Sequence, residues 1–246
     1  MNFDWEDLAP GVRRCRLPFC DVTVGAVSGA TGTLLVDAGT TLAEAAALAA
    51  DLDALGVAPV GHVVLTHNDF DHVLGAAGFP AATVYCAPEV AATLLHGGPR
   101  LRQEALHYDA DADELDRTLA ARRVPARTVR QTVIGLGGVT IAVTHPGRGH
   151  TDHDLVAVVR GSGRTVVFCG DLVEESGAPS VEADSDPAAW PATLARVLQL
   201  GGPDAVYVPG HGATVDADFV QRQAQWLSER SVTDGGPAAG SGMLGL

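Results

Sequence analysis

The chain has 246 residues, 46% of them hydrophobic, and a formal net charge of −14. That length and apolar share suffice for a sizeable buried core and exclude a wholly disordered chain. All 16 basic residues are arginine, and the acidic excess argues against non-specific binding to nucleic acid or to an anionic membrane, both of which need a basic surface.

The elements alternate along the chain. "DVTVGAVSG" and "GTLLVDAG" read as strands joined by a glycine-bearing turn. "TLAEAAALAADLDALG" reads as a helix, with Thr41 and Glu44 spaced as a capping box and Gly56 as its stop. "PVGHVVLT" and "AATVYCAP" are short strands, and residues 88–123 turn helical and charged. "QTVIGLGGVTIAVTHPG" has the pattern of a hairpin around Gly137-Gly138, and "DLVAVVRGSGRTVVFCGD" that of two strands joined by "GSG". In "DPAAWPATLARVLQLGG", Asp186 is placed to cap a helix and Pro187 to occupy its first turn. "DAVYVPGHG" is a final strand and turn, followed by a helix over 216–230. We read residues 1–230 as one domain and 231–246 as a flexible Gly/Ala-rich tail. Strands and helices mix, with hairpins as well as crossovers, which points to sheets carrying helices on their outer faces.

No apolar run approaches the roughly 20 residues of a membrane span. The opening "MNFDWEDLAPG" has neither the basic nor the apolar region of a secretory signal, so a cytoplasmic setting is expected. Cys15, Cys20, Cys86 and Cys169 form no CxxC pair and are expected to be free thiols, several of them in the core.

Four places share one grammar: an apolar strand ends and a metal-ligating residue type follows. "HVVLT" leads to His67, "VTIAVTHPGRG" to His150, "TVVFCG" to Asp171 and "AVYVPG" to His211. Loops just past strand ends can converge on one edge of a sheet assembly. Within "HNDFDH", residues 67, 69 and 71 alternate along an extended segment and can face one site, and a turn into the next helix brings His72 round. The bland alternative is a solvated acidic turn, but three distant strand ends supply further ligand types.

In order, "HNDFDH", "GRGHTDHD", "FCGD" and "VPGHG" resemble the signature of the metallo-β-lactamase-fold hydrolases, H-x-H-x-D-H followed by G-H-T, G-D and G-H. "LLVDAG" resembles the strand end that precedes the motif in that family. The resemblance spans about residues 22–215 and implies an αββα sandwich of two mixed sheets flanked by helices. It further implies two divalent metal ions, zinc first. One would be held by His67, position 69 and His150, and the other by Asp71, His72 and His211, with Asp171 between them. Asp71 would both ligate and orient the nucleophile, the catalytic assignment. Two close cations lower the pKa of a shared water and polarise the bond under attack.

The family pattern has histidine at position 69, where this chain has Asp69. If Asp69 ligates, two cations and one hydroxide meet three aspartates and the centre is formally neutral. Such an oxygen-rich site favours iron or manganese relative to zinc. The flavodiiron branch, by resemblance, carries a glutamate here. If the shorter side chain fails to reach, His67, His150 and Asp171 remain, the two-histidine, one-carboxylate set of mononuclear iron oxygenases. Persulfide dioxygenases of this fold use such a site.

Other residues carry weaker signals. Asp37 is placed to support the ligand loop. His153 and Asp154 are candidates for a supporting shell or for substrate contact, against a polar turn that caps the next strand, and Arg148 is a candidate receptor for a substrate carboxylate, although a lone loop arginine is more often solvated. His62, His96 and His145 lack partner spacing and read as structural, and Cys169 as core packing. His107 and Tyr108 lie in the 98–123 segment, a candidate lid or substrate-facing insert. The extra domain of the nuclease members is absent. The expectation is a metal-dependent hydrolase of a small-molecule ester, thioester, lactone or amide. The alternatives are an iron dioxygenase acting on a thiol or persulfide, then a β-lactamase or a non-catalytic descendant. The expected partner is a small-molecule substrate, neither nucleic acid nor membrane, with a homodimer as the oligomeric option.

Overall fold

The computed structural model describes residues 1–161 and 163–234. The first sheet has seven strands in sequence order: β1 (Glu6–Ala9), β2 (Val12–Arg16), β3 (Thr23–Gly29), β4 (Gly32–Val36), β5 (Val60–Val64), β6 (Thr83–Cys86) and β7 (Arg127–Thr128). Pairing is antiparallel from β1 to β4 and parallel from β4 to β7. The second sheet comprises β8 (Gln131–Gly135), β9 (Thr140–Thr144), β10 (Val156–Arg160), β11 (Val166–Gly170) and β12 (Val206–Pro209). It is antiparallel except for the parallel β11–β12 pair.

The β10–β12 part of the second sheet is buried on both faces, and side-chain alternation sorts it. Ala157 and Val159 of β10, Val166 and Phe168 of β11 and Val206 and Val208 of β12 join the core shared with the first sheet. Val156, Val158, Val167, Cys169 and Tyr207 pack instead against α6 (Trp190–Gly201) and α7 (Ala217–Asp234). This is why "DLVAVVR" and "TVVFC" read as unbroken apolar runs. Gly25 of β3 marks the closeness of the two sheets, since a Cβ there would lie 2.2 Å from the Phe168 ring. Each fully buried aliphatic side chain contributes about 1.5–3 kcal/mol, so the strands form a stiff base for the loops at their ends. Two mixed sheets face to face with helices outside form the expected αββα sandwich.

The remaining helices cover the first sheet and the loop edge: α1 (Leu42–Ala54), α2 (Phe70–Val73), α3 (Pro88–His96), α4 (Gly98–His107) and α5 (Ala112–Ala121). α1 carries the expected capping box, with Glu44 N–H donating to Thr41 Oγ1 at 3.1 Å and Thr41 N–H to Glu44 Oε2 at 3.0 Å. The hairpin around Gly137-Gly138 forms as β8–β9.

Four details differ from the sequence reading. β1 and β2 form a hairpin whose register places Glu6 against Arg14 and Asp7 against Arg13, so ion pairs replace the apolar alternation that would have announced them. The 88–123 segment divides into three helices. α6 starts at Trp190, because Asp186 caps a preceding turn through Ala189 N–H (3.0 Å) and Pro191 opens the helix. α7 runs to Asp234, four residues into the expected tail, and the rest of that tail, like Ser162 of the "GSG" turn, lies outside the described residues. Among the described residues no helix is long and apolar enough to cross a membrane.

Candidate metal centre

Parallel pairing carries the C-terminal ends of β4 and β5 to one edge of the first sheet, and those of β11 and β12 to the matching edge of the second. The edges are laced together: Thr23 N–H donates to Gly210 O (2.7 Å) and Leu155 N–H to Thr66 O (2.8 Å). Here the structure brings together every ligand candidate. His67 follows β5, Asp69 precedes α2, Asp71 and His72 lie in its only turn, and His150 sits in the β9–β10 loop. Asp171 and His211 follow β11 and β12.

Among the described residues three groups of donor atoms form, His67/Asp69/His150/Asp171, Asp71/His72/His211 and Asp171/Glu174/His211, with atoms in each group within 4.8 Å of one another. Asp69 reaches its group, with Oδ2 3.3 Å from His67 Nε2 and 3.8 Å from His150 Nε2. Asp171 Oδ2 lies 3.7 Å from His67 Nε2, 3.9 Å from His150 Nε2 and 3.4 Å from His211 Nε2, while its Oδ1 lies 3.3 Å from His72 Nε2. Asp71 Oδ2 is 3.5 Å from His211 Nε2 and 3.8 Å from His72 Nε2. Metal–ligand bonds of about 2.0–2.2 Å put the corners of a tetrahedron roughly 3.3–3.6 Å apart. The donors are therefore spaced like the corners of coordination polyhedra. Among the described residues His67 Nε2 and Asp171 Oδ1 are buried with no hydrogen-bond partner, as befits donor atoms for a cation.

Each imidazole is held from behind at Nδ1. His72 Nδ1–H donates to Asp37 Oδ2 (2.9 Å), His150 Nδ1–H is directed at Asp154 Oδ1 (3.4 Å), and His211 Nδ1–H donates to Cys20 O (2.9 Å). Thr66 Oγ1 donates to Asp37 Oδ2 (2.8 Å) and so accepts from His67 Nδ1–H (2.9 Å). With Nδ1 committed as donor, all four rings present Nε2 to the centre. Asp37, 2% exposed, thus orients His67 through Thr66 and His72 directly. The carbonyl that holds His211 belongs to a turn in which Cys20 and Asp21 both adopt φ of +57°, a conformation strained for residues other than glycine. Gly210 is required for space, because a Cβ there would lie 1.7 Å from Asp171 Oδ1.

The electrostatics ask for positive charge. Burial disfavours charged imidazoles, yet Asp171 and its neighbours raise His72 to about 9 and His211 to about 11, and Asp154 with Asp171 raises His150 to about 10. Burial also opposes charge on Asp69 and Asp171, and the surrounding histidines more than reverse it, lowering both carboxyls. A divalent cation can take the place of those protons.

A cavity of about 270 Å³ opens over the donors, lined by Cys20, Phe70, Glu104, Tyr108, Glu174 and Glu182 besides the ligand side chains. Glu104 and Tyr108 come from the 98–123 segment, which therefore faces the site. The sequence reading missed Glu174, whose carboxylate groups with Asp171 and His211; its place three residues after the "GD" turn was the available signal. Glu182 lies in the irregular 171–189 stretch, which carries no periodic pattern.

Two of the weaker candidates stand off the cavity. Arg148 does not line the cavity; it pairs with Asp186 at 3.1 Å and is largely exposed, so it is not placed to receive a substrate carboxylate. His153 is buried, its Nδ1–H donating to Asp152 Oδ1 (2.9 Å), and it does not line the cavity. His145 Nδ1–H donates to Asp154 O (2.8 Å), a structural role, and Cys169 is core. All four cysteines are free.

Comparison with known proteins agrees with this geometry. The chain superposes on the mono-zinc form of the metallo-β-lactamase FIM-1 from Pseudomonas aeruginosa with a TM-score of 0.68 at 18% identity, covering 94% of this chain and 96% of that one. It is similar to VMB-1 at pH 5.5 (TM-score 0.71, 16% identity, 94% and 98% covered) and to a metallo-β-lactamase from Hirschia baltica (0.65, 14%, 93% and 98%). Residues 17–211 match the family model described as the metallo-beta-lactamase superfamily. With the fold, the ordered motifs and that match in agreement, the chain belongs to the metallo-β-lactamase superfamily.

Proposed function

We propose that this chain is a metal-dependent hydrolase of a small-molecule ester, thioester, lactone or amide. The observation that carries the reading is the meeting of two donor groups on one carboxylate, Asp171, at the floor of a substrate-sized cavity. His67, Asp69 and His150 would hold one divalent ion and Asp71, His72 and His211 the other. When bound, the ions supply Lewis acidity at the scissile bond and a water acidified to near neutral pH. Asp71, buried beside His72 and His211, orients that water through its carboxylate and receives its proton. Phe70 and Tyr108 supply the aromatic wall beside the bond under attack. Zinc is the first candidate metal, with iron or manganese favoured more than in an all-histidine first group because Asp69 adds an anionic oxygen.

The dioxygenase is the second reading, motivated by a first group built of two histidines and carboxylates. The reach of Asp69 and the full set of Asp71, His72 and His211 support the hydrolase over it. A β-lactamase reading has less support, since β-lactams carry a carboxylate and no arginine lines the cavity among the described residues. Free cysteines fit a reducing, cytoplasmic setting. The deciding experiment is metal analysis of the purified protein with assays on neutral esters. Two ions per chain, with chelator-sensitive ester hydrolysis, are expected. One iron per chain with oxygen uptake on a thiol substrate overturns the proposal in favour of the dioxygenase.

A further inference from the structure

The walls of the cavity have a charge of their own. Its floor is built to receive a ligand, as the unpartnered buried atoms His67 Nε2 and Asp171 Oδ1 show. Above the aspartates of the donor groups stand Glu104, Glu174 and Glu182. No arginine lines the cavity among the described residues, and the chain contains no lysine. Arg100, beside the mouth, is already engaged: it forks onto Glu104 (2.8 and 3.1 Å) and donates to Asn68 O (3.2 Å). The Glu182 carboxylate has no hydrogen bond or ion pair among the described residues. Burial raises both carboxyls; Arg100 counters it at Glu104, and His150 and Arg100 at Glu182, while Asp69 and Glu182 press on Glu104 and Asp69 and Asp184 on Glu182.

Aromatic surface borders this negative wall. Tyr108 is 58% exposed yet lines the cavity, and its ring stands 5.6 Å from that of Phe70. Carboxylates beside an accessible aromatic face form a receptor for a cation, and they repel an anion. Two divalent ions with a hydroxide would cancel only the three aspartates, so the glutamates keep the wall anionic in the loaded protein.

We propose that the substrate carries an ammonium group next to the cleaved bond, received by Glu182 and Glu104 with the Tyr108 ring. This rests on the hydrolase reading. Water adds to the acyl carbon, the C–O or C–N bond breaks, and the leaving alcohol or amine takes the proton.

The test compares acetylcholine, its uncharged isostere 3,3-dimethylbutyl acetate and the anionic monoethyl succinate on metal-loaded protein. The expected kcat/KM for acetylcholine exceeds that for the isostere by about tenfold, mainly through KM, with the succinate poorest. Glu182→Gln is expected to lower the cation-to-neutral ratio about two- to fivefold, whereas the distant Glu229→Gln leaves it unchanged. Hydrolysis of the isostere without preference for acetylcholine keeps the hydrolase and overturns the cation site. If no ester is cleaved, calorimetric titration with choline and with n-butylammonium still decides. Binding of either cation that weakens in Glu182→Gln supports the site, and binding of neither overturns it.

Discussion

Replacing Asp69 with alanine removes the one ligand candidate that departs from the family pattern. Its carboxylate lies 3.3 Å from His67 Nε2 and 3.8 Å from His150 Nε2, so the change takes one corner from the first donor group. Asp69 precedes α2 but makes no side-chain cap hydrogen bond, so the helix start does not depend on its carboxylate. Losing a group that merely orients a ligand typically costs about 10–100-fold in metal affinity. Loss of a ligating carboxylate should reach at least the upper end, about 2.7 kcal/mol at roughly 1.36 kcal/mol per tenfold. The assay is competition for zinc, iron and manganese against a chromophoric chelator, with far-UV circular dichroism to confirm the fold. Asp69→Ala should weaken one binding step at least ~100-fold and leave the step assigned to Asp71, His72 and His211 in place. Asp69→His should restore affinity and shift preference toward zinc, because an anionic oxygen gives way to a neutral nitrogen. Unchanged stoichiometry and affinities in Asp69→Ala would refute ligation by this residue.

Asp37→Ala should weaken metal binding about 10–100-fold and cost about 1–3 kcal/mol in urea denaturation, because it leaves Thr66 N–H, Thr66 Oγ1 and His72 Nδ1 without their acceptor. Gly210→Ala should displace Asp171 from a contact that a Cβ would close to 1.7 Å, and its metal stoichiometry should fall while circular dichroism stays native-like. Asp51 accepts from Asn2 N–H (2.6 Å), Phe3 N–H (2.9 Å) and Trp5 Nε1–H (3.1 Å), tying the N-terminal segment to α1. Burial raises its carboxyl, but these hydrogen bonds outweigh it, so the folded pKa lies below the ordinary value of 3.8. Its stabilisation is therefore present above pH 3.8 and lost as pH falls through the lower folded value. Asp51→Ala should cost about 1–3 kcal/mol at pH 7, a gap to wild type in urea midpoint that narrows at acid pH.

Much of the candidate centre was legible because ligand chemistry leaves local marks. A histidine or aspartate straight after an apolar strand is visible without coordinates; His67, His150, Asp171 and His211 were found in this way, and Asp71 and His72 from the spacing within "HNDFDH". Asp37 and Asp154 could be named as supports, but which ring each holds depends on loops distant in sequence. Arg148 stayed open between a substrate contact and a solvated side chain because nothing local reveals its pairing with Asp186. Glu104 and Glu182, on the cavity wall, stand in a helix and an irregular loop with no shared pattern. The β1–β2 hairpin escaped for a similar reason, its alternation written in charge pairs.

By itself the sequence determined the alternation of strands and helices and the residue types of the centre. Periodicity and the chemistry of donors are properties of neighbouring residues. Tertiary structure alone decided that Asp69 reaches its histidines, that every ring turns Nε2 inward, and that the cavity wall is acidic. Those depend on how two sheets meet at one edge, where β5, β9, β11 and β12 deliver loops from across the chain to within a few ångströms.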